Sequence, residues 1–213
     1  MVLFLVLGIP LFVWFLLERF FSPIDYKEKS KLFFWGALYI LPFLFLQGFL
    51  YRSFQAAYEG WMLYIRGVAI EILFPFIYIV AGFLLHHRRS FPRSYLLQVE
   101  NFLCFGSGSM VLLAIQLHLR FQGWEEGLIY LLLPLIWIQL LGVSALAWAV
   151  WHHSYRWERF GVVGGSLFWM LLLGWFMYMY RINYRSLAWL FVLGSFIAFT
   201  LLFPHVKEKL RYL

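Results

Sequence analysis

The sequence predicts an all-α, polytopic transmembrane bundle with seven spans, or with six if a marginal span is discounted. Composition is the first reason: of 213 residues, 64% are hydrophobic and only 13% are charged. Soluble domains average about half apolar and a quarter charged residues. A water-soluble fold of this size could not bury so many large apolar side chains. The second reason is that the few charges leave long uncharged runs between them.

The length of these runs gives the number of spans. A hydrocarbon core of about 30 Å requires roughly 20 apolar residues in a helix. Seven runs reach or approach that length: 2–17, 32–51, 62–85, 97–118, 127–150, 160–180 and 187–203. The first and last are marginal, and the run at 2–17 lacks the basic start and small-residue cleavage site of a secretory signal. Because the connections are short, we expect residues 1–213 to form one integral membrane domain.

Basic residues predict the orientation of the bundle. Twelve Lys and Arg fall in segments 18–31, 86–96, 151–159 and the C-terminal tail, against five in the alternate connections. Since cytoplasmic loops collect Lys and Arg, the first set is predicted to be cytoplasmic. The N-terminus is then outside and the C-terminus inside. The expected location is the cytoplasmic (inner) membrane of a prokaryote.

The third span carries two charged residues, Arg66 and Glu71. With a helical rise of about 1.5 Å per residue, Glu71 lies roughly 15 Å below Trp61, near mid-depth. A spacing of five places the two side chains about 140° apart around an α-helix, so direct pairing is disfavoured. Glu71 is therefore expected to meet another helix, to face a water-filled cavity or to stay protonated and neutral. Ionisable residues inside a membrane are commonly functional.

Other polar side chains are predicted to share the outer half of the bundle with Glu71 and Arg66. These candidate binding residues are Gln47, Gln116, His118 and Gln139. Together they could line an outward-facing polar cavity. The alternative is that each only forms hydrogen bonds between helices, which are worth about 0.6–2 kcal/mol apiece in membranes.

A cytoplasmic rim of histidine and arginine residues is the second candidate site. It comprises His86, His87, Arg88, Arg89, His152, His153 and Arg156. Such a rim is expected to contact anionic lipid headgroups. Paired histidines could instead ligate haem or a metal, but the sequence has no established metal-binding motif, so no cofactor and no metal site are predicted.

Proline and small residues indicate how the helices pack. Pro42, Pro75 and Pro134 lie within predicted spans, where they can act as hinges. Small-residue strings at 106–109 and 161–165 predict close approach between helix backbones.

These observations favour a transport-type protein, or the membrane subunit of a transport system, for a small solute or lipid-like molecule, with Glu71 as its ionisable centre. A non-catalytic scaffold subunit of a larger membrane complex is the first alternative. A lipid-modifying enzyme using the cytoplasmic rim is the second, although enzymatic activity is not the favoured interpretation. Expected partners are membrane lipids and either a protein partner or a second copy. The basic charge is assigned to lipid, and no nucleic acid is expected.

Overall fold

A computed structural model describes residues 8, 26–53, 60–87, 95–120, 135–140, 142–143 and 156–211. These residues are helical apart from a turn at 182–184, and none of them is in a strand. The elements, in order, are α1 (Tyr26–Ser53), α2 (Gly60–Arg66), a π-helical segment (Gly67–Leu73), α3 (Phe74–His87), α4 (Tyr95–Arg120), α5 (Arg156–Arg181) and α6 (Arg185–Arg211). A short helical segment, 135–140, lies between α4 and α5.

Four stretches are long and apolar enough to cross a membrane: Lys27–Leu50, Gly60–His87, Leu97–Gln116 and Val163–Arg181. They match the predicted spans 32–51, 62–85, 97–118 and 160–180, which confirms an all-helical architecture with four helices able to span a membrane. A fifth apolar helix, Arg185–Ala198, is shorter. The predicted span 2–17, apart from residue 8, and most of 127–150 lie outside the described residues. The count of seven spans and the orientation of the termini therefore stay predictions.

Helices α1 and α4 run in parallel along one continuous seam. At one end, the Lys29 ammonium donates to the Glu100 carboxylate at 3.0 Å, and the two residues are 71 positions apart in the chain. Near the other end, Gln116 donates to the backbone carbonyl of Leu44 at 3.0 Å, 72 positions away. The nearly constant separation means that both helices advance in the same direction. The predicted alternation of spans also makes the second and fourth spans parallel.

Glycine residues allow this seam to close. A Cβ atom built on Gly36 would lie 1.9 Å from the carbonyl oxygen of Phe105, and one on Gly108 would lie 1.9 Å from that of Phe33. Ser109 adds a hydrogen bond of 2.8 Å to the carbonyl oxygen of Gly36. Small residues let helix backbones touch, which favours association where lipid supplies little hydrophobic driving force. The close approach predicted at 106–109 is therefore confirmed.

The second small-residue string behaves differently. Nothing among the described residues lies within 4 Å of a Cβ atom built on Gly161, Gly164 or Gly165. Among the described residues there is no close approach at 161–165, so the close packing expected there stays a prediction. Small residues permit close packing but do not specify a partner, which explains the difference.

A tight turn joins α5 to α6. Asn183 has a φ of 73°, a left-handed conformation that Asn tolerates better than most residues. The backbone N–H of Asn183 donates to the carbonyl oxygen of Tyr180 at 3.3 Å, and the backbone N–H of Tyr184 donates to the carbonyl oxygen of Met179 at 3.0 Å. These two bonds define a Schellman motif, which satisfies the last carbonyl groups of α5. The motif fixes the end of α5 at Arg181.

The contacts of α5 with α2 and the π-helical segment give these elements the same direction. The Tyr64 hydroxyl donates to the carbonyl oxygen of Leu171 at 3.1 Å. Glu71, which is seven residues after Tyr64, pairs with Arg181, which is ten residues after Leu171. An uninterrupted alternation of seven spans would give the third and sixth spans opposite directions, but the number of spans and their orientation in a membrane stay predictions. Apolar length shows which segments can cross a bilayer, but only contacts show their relative direction.

Candidate functional site

Glu71 is buried in the structure, with a side chain that is 3% exposed. Its Oε1 atom accepts a hydrogen bond from the Arg181 guanidinium at the end of α5, and the two side chains form an ion pair. The Arg181 side chain is 20% exposed, so one member of the pair is sealed in protein and the other is not. Of the three environments expected for Glu71, contact with another helix is the one observed.

The turn after α5 determines where the guanidinium lies. Arg181 is the last helical residue before the Schellman motif, at the negative end of the helix dipole, where a cation is favoured. Ala188 and Tyr180 are buried on either side of the turn, which holds α6 against α5. The position of Arg181 therefore depends on the whole hairpin rather than on a flexible loop.

Glu71 lies within the π-helical segment Gly67–Leu73, and two of the segment's backbone carbonyl groups are held by other helices. Gln47 of α1 donates to the carbonyl oxygen of Ile70 at 3.2 Å. The indole N–H of Trp137 donates to the carbonyl oxygen of Glu71 at 2.8 Å. Three elements thus hold consecutive groups of one turn: α1, segment 135–140 and α5. π-Helical turns are rare and often occur at functional sites.

Arg66 immediately precedes this segment and is half-buried. The predicted angle of about 140° between Arg66 and Glu71 assumed α-helical geometry. The segment is instead π-helical, and its hydrogen bonds join residues five apart. The estimate of about 140° therefore does not apply to this turn, and the ion pair of Glu71 is with a different arginine, Arg181.

The other predicted binding residues are distributed over several helix contacts. Gln116 donates to Leu44, and Gln139 donates to the carbonyl oxygen of Val192 on α6 at 3.4 Å. With Gln47, all three glutamines therefore bind the backbone of another helix. His118 belongs to α4, but its side chain lies outside the described residues. These contacts are the interhelical bonds that the alternative interpretation expected.

A small cavity lies beside the π-helical segment. Its lining is apolar and comprises Pro75, Phe76, Ile79, Met110, Leu113, Trp137 and Leu140. Glu71 and the three glutamines are not part of that lining. Pro75, which follows Glu71 by four residues and is one of the predicted hinges, is part of this lining.

A second buried ion pair lies at the far end of the α1–α4 seam. The side chains of Lys29 and Glu100 are 4% and 8% exposed, and their charged atoms are 3.0 Å apart. The Lys29 ammonium also donates to the Asn101 amide oxygen at 2.6 Å. From the sequence, Lys29 was counted as a loop charge, within segment 18–31. The pair joins α1 to α4.

Two members of the predicted cytoplasmic rim can be placed. His87 is buried, with Nδ1 3.2 Å from the carbonyl oxygen of Phe83 and its ring packed on the Phe83 ring. His86 is exposed beside Trp35. Arg88, Arg89, His152, His153 and the Arg156 side chain lie outside the described residues. In the described part of the chain, no group of three or more His, Cys, Asp or Glu could hold a metal ion.

Sequence reasoning missed two residues of this site, Arg181 and Trp137. Arg181 was counted as a loop charge, and no role was assigned to Trp137. A usable signal existed for Arg181, because a buried carboxylate requires a partner and the apolar run 160–180 ends directly at this arginine. Nothing in the sequence indicates that an indole N–H should bind the backbone at Glu71.

Comparison of the chain with protein-family models, with curated proteins and with solved structures finds no match in any of the three. Any assignment of function therefore depends on the geometry of the site.

Proposed function

We propose that this protein is a transport-type membrane protein, or the membrane subunit of a transport system, for a small solute or lipid-like molecule. The supporting observation is the Glu71–Arg181 ion pair, which joins a π-helical turn to the end of a second helix. A buried ion pair is a poor device for stability alone, because desolvating both charges offsets much of their attraction. Its presence within a membrane helix favours a functional role.

The arrangement can couple charge to movement. When Glu71 takes up a proton, it loses its charge, and its attraction to the Arg181 guanidinium falls with it. The α5–α6 hairpin is then held less tightly against the π-helical segment. Pro75 and the adjoining apolar cavity lie where the helix would bend. Proton or cation binding at Glu71 would thereby change the packing between two parts of the bundle.

The test uses purified protein in liposomes, with currents recorded on a solid-supported membrane after jumps of succinate, inorganic phosphate, glucose, glycine or choline. We expect at least one solute to produce a current in the wild type that is lost in Glu71→Gln. Glu100→Gln is the matched control, because it neutralises the other buried carboxylate. Absence of current for every solute, or an unchanged current in folded Glu71→Gln, would contradict the proposal.

A non-catalytic scaffold subunit is the second candidate, and a different observation favours it. The side chains of Gln47, Gln116 and Gln139 all bind backbone carbonyl groups of other helices, which is how polar residues hold a bundle together. Under this alternative, purification in mild detergent yields a stable stoichiometric partner, and Glu71→Gln weakens folding without a separate effect on activity. An isolated protein that transports in liposomes would exclude it.

A further inference from the structure

We infer that Gln47 is a positioning residue for Glu71, because it holds the turn that carries Glu71 in a π-helical register. The inference rests on the proposed function, in which Glu71 is the ionisable centre, and it names the contact that sets the direction of this side chain. The Gln47 side-chain amide donates to the carbonyl oxygen of Ile70 at 3.2 Å. Gln47 and Ile70 are each 1% exposed, so bulk water cannot take the place of this bond.

The carbonyl group of Ile70 has lost both of its usual backbone donors. In an α-helix it would accept a hydrogen bond from the N–H of Phe74, four residues later. In the structure that N–H donates instead to the carbonyl oxygen of Ala69, which is the π-helical pattern. The π-helical donor to Ile70 would be residue 75, which is a proline and has no N–H. The π register therefore requires a donor from outside the helix, and Gln47 supplies it.

The same turn can close as an ordinary α-helix without Gln47. The N–H of Phe74 would then donate to the carbonyl oxygen of Ile70. In that register the proline leaves the carbonyl group of Glu71 without a backbone donor. Trp137 already donates to this carbonyl oxygen at 2.8 Å. Both registers are thus satisfied by donors that are in place, and Gln47 stabilises only the π register.

The register determines the direction of Glu71. On the N-terminal side of the turn, α2 is held to α5 by the hydrogen bond from Tyr64 to Leu171. On the C-terminal side, α3 packs on α1. A π turn closes over one more residue than an α turn, so a change of register rotates one side against the other by about 100°. Glu71 lies between the two sides and would turn away from Arg181, which belongs to α5.

The chemical reactivity of arginine measures this change. Phenylglyoxal modifies arginine side chains, and mass spectrometry of the purified protein in detergent reports each site separately. Gln47→Met keeps the size of the side chain but removes the donor. We expect it to raise the rate of Arg181 modification at least about threefold, because fewer molecules keep the contact with Glu71. The modification rate of exposed Arg52 should not change.

A rescue variant separates the register from general packing. Pro75→Ala restores an N–H that can donate to the carbonyl oxygen of Ile70 in the π register. Combined with Gln47→Met, it should return Arg181 modification to the wild-type rate. Pro75→Ala alone should fold and react like wild type, because Gln47 still serves the same carbonyl group.

Gln116→Met is the matched control. Gln116 also donates to a backbone carbonyl oxygen of α1, that of Leu44, at 3.0 Å. The residue four positions after Leu44 is Gly48, which has its own N–H, so the side-chain bond replaces no missing donor. Gln116→Met should therefore leave the rate of Arg181 modification unchanged.

An unchanged Arg181 rate in folded Gln47→Met, or a raised rate that Pro75→Ala does not reverse, would overturn the inference. An equal rise in Gln116→Met would also overturn it, as would a Pro75→Ala variant that does not fold or that reacts faster than wild type. If Gln47→Met does not fold, recovery of folding in the double variant supports the inference, and failure of both variants refutes it.

These measurements do not depend on transport. Solute currents that require Glu71, together with an unchanged Arg181 rate in Gln47→Met, would leave the proposed function standing and this inference refuted. A raised rate that Pro75→Ala reverses, together with no current for any solute, would refute the proposed function alone.

Discussion

Trp137 donates its indole N–H to the backbone carbonyl oxygen of Glu71 at 2.8 Å, inside a π-helical turn. The neighbouring carbonyl of Ile70 is bound by Gln47 from a different helix. The side chains of Gln47 and Trp137 therefore bind the consecutive backbone carbonyl groups of Ile70 and Glu71. Glu71 is positioned by its main chain as well as by its ion pair.

The Trp137 hydrogen bond should be measurable in the stability of the protein. Trp137→Phe keeps an aromatic ring but removes the donor, which leaves a buried carbonyl group short of a partner. We expect a loss of about 1–3 kcal/mol in the free energy of unfolding. Thermal or denaturant unfolding in detergent measures it. Trp35→Phe, at an exposed position, is the control, and equal losses for the two variants would refute the role of the bond.

The α1–α4 seam should not tolerate a methyl group at Gly36. Its Cβ would lie 1.9 Å from the Phe105 carbonyl oxygen, so the helices must separate. We expect Gly36→Ala to cost about 2–3 kcal/mol or to prevent folding. Gly164→Ala, with nothing within 4 Å of its Cβ among the described residues, should remain close to wild type. Comparable yield and melting temperature for both variants would show that the seam is looser than the structure indicates.

Removing one member of the Lys29–Glu100 pair should lower the free energy of unfolding by more than the intact pair contributes to it. Lys29→Met leaves the Glu100 carboxylate buried without its cation, and losses of about 3–5 kcal/mol are typical of such variants. The double variant with Glu100→Gln should recover much of the loss, because no uncompensated charge remains. Lys31→Met, at an exposed position two residues away, should change stability by less than about 0.5 kcal/mol. A double variant as unstable as Lys29→Met would argue against a charge effect.

The left-handed residue of the α5–α6 turn gives a test of the hairpin. Asn183→Gly should be neutral or stabilising, because glycine adopts a φ of 73° without strain. Asn183→Val should cost about 1–2 kcal/mol and should loosen the Glu71–Arg181 contact, since Arg181 immediately precedes the turn. Unfolding in detergent measures the first effect, and phenylglyoxal reactivity of Arg181 measures the second. An unchanged Arg181 reactivity in Asn183→Val would show that the turn does not position the guanidinium.

The sequence predicted well those properties that depend on one helix at a time. Apolar length located the four helices that are long enough to cross a membrane, and the depth of Glu71 in its run gave three expected environments, one of which is the observed contact with another helix. Properties that depend on two helices were largely missed. Arg181 lies 110 positions from Glu71, and although the sequence shows that a buried carboxylate needs a partner, it does not show that this arginine is the one. The π-helical turn was missed as well, because its geometry depends on Gln47 and Trp137 from elsewhere in the chain.

The parallel seam has a consequence for biosynthesis. Lys29 and Glu100 are 71 residues apart, so α1 leaves the ribosome well before its partner helix exists. At about 5–20 residues per second, the delay is roughly 4–14 s. During that time the Lys29 ammonium lacks the Glu100 carboxylate that it binds in the folded protein. The Lys29–Glu100 contact can therefore form only after α4 has been synthesised.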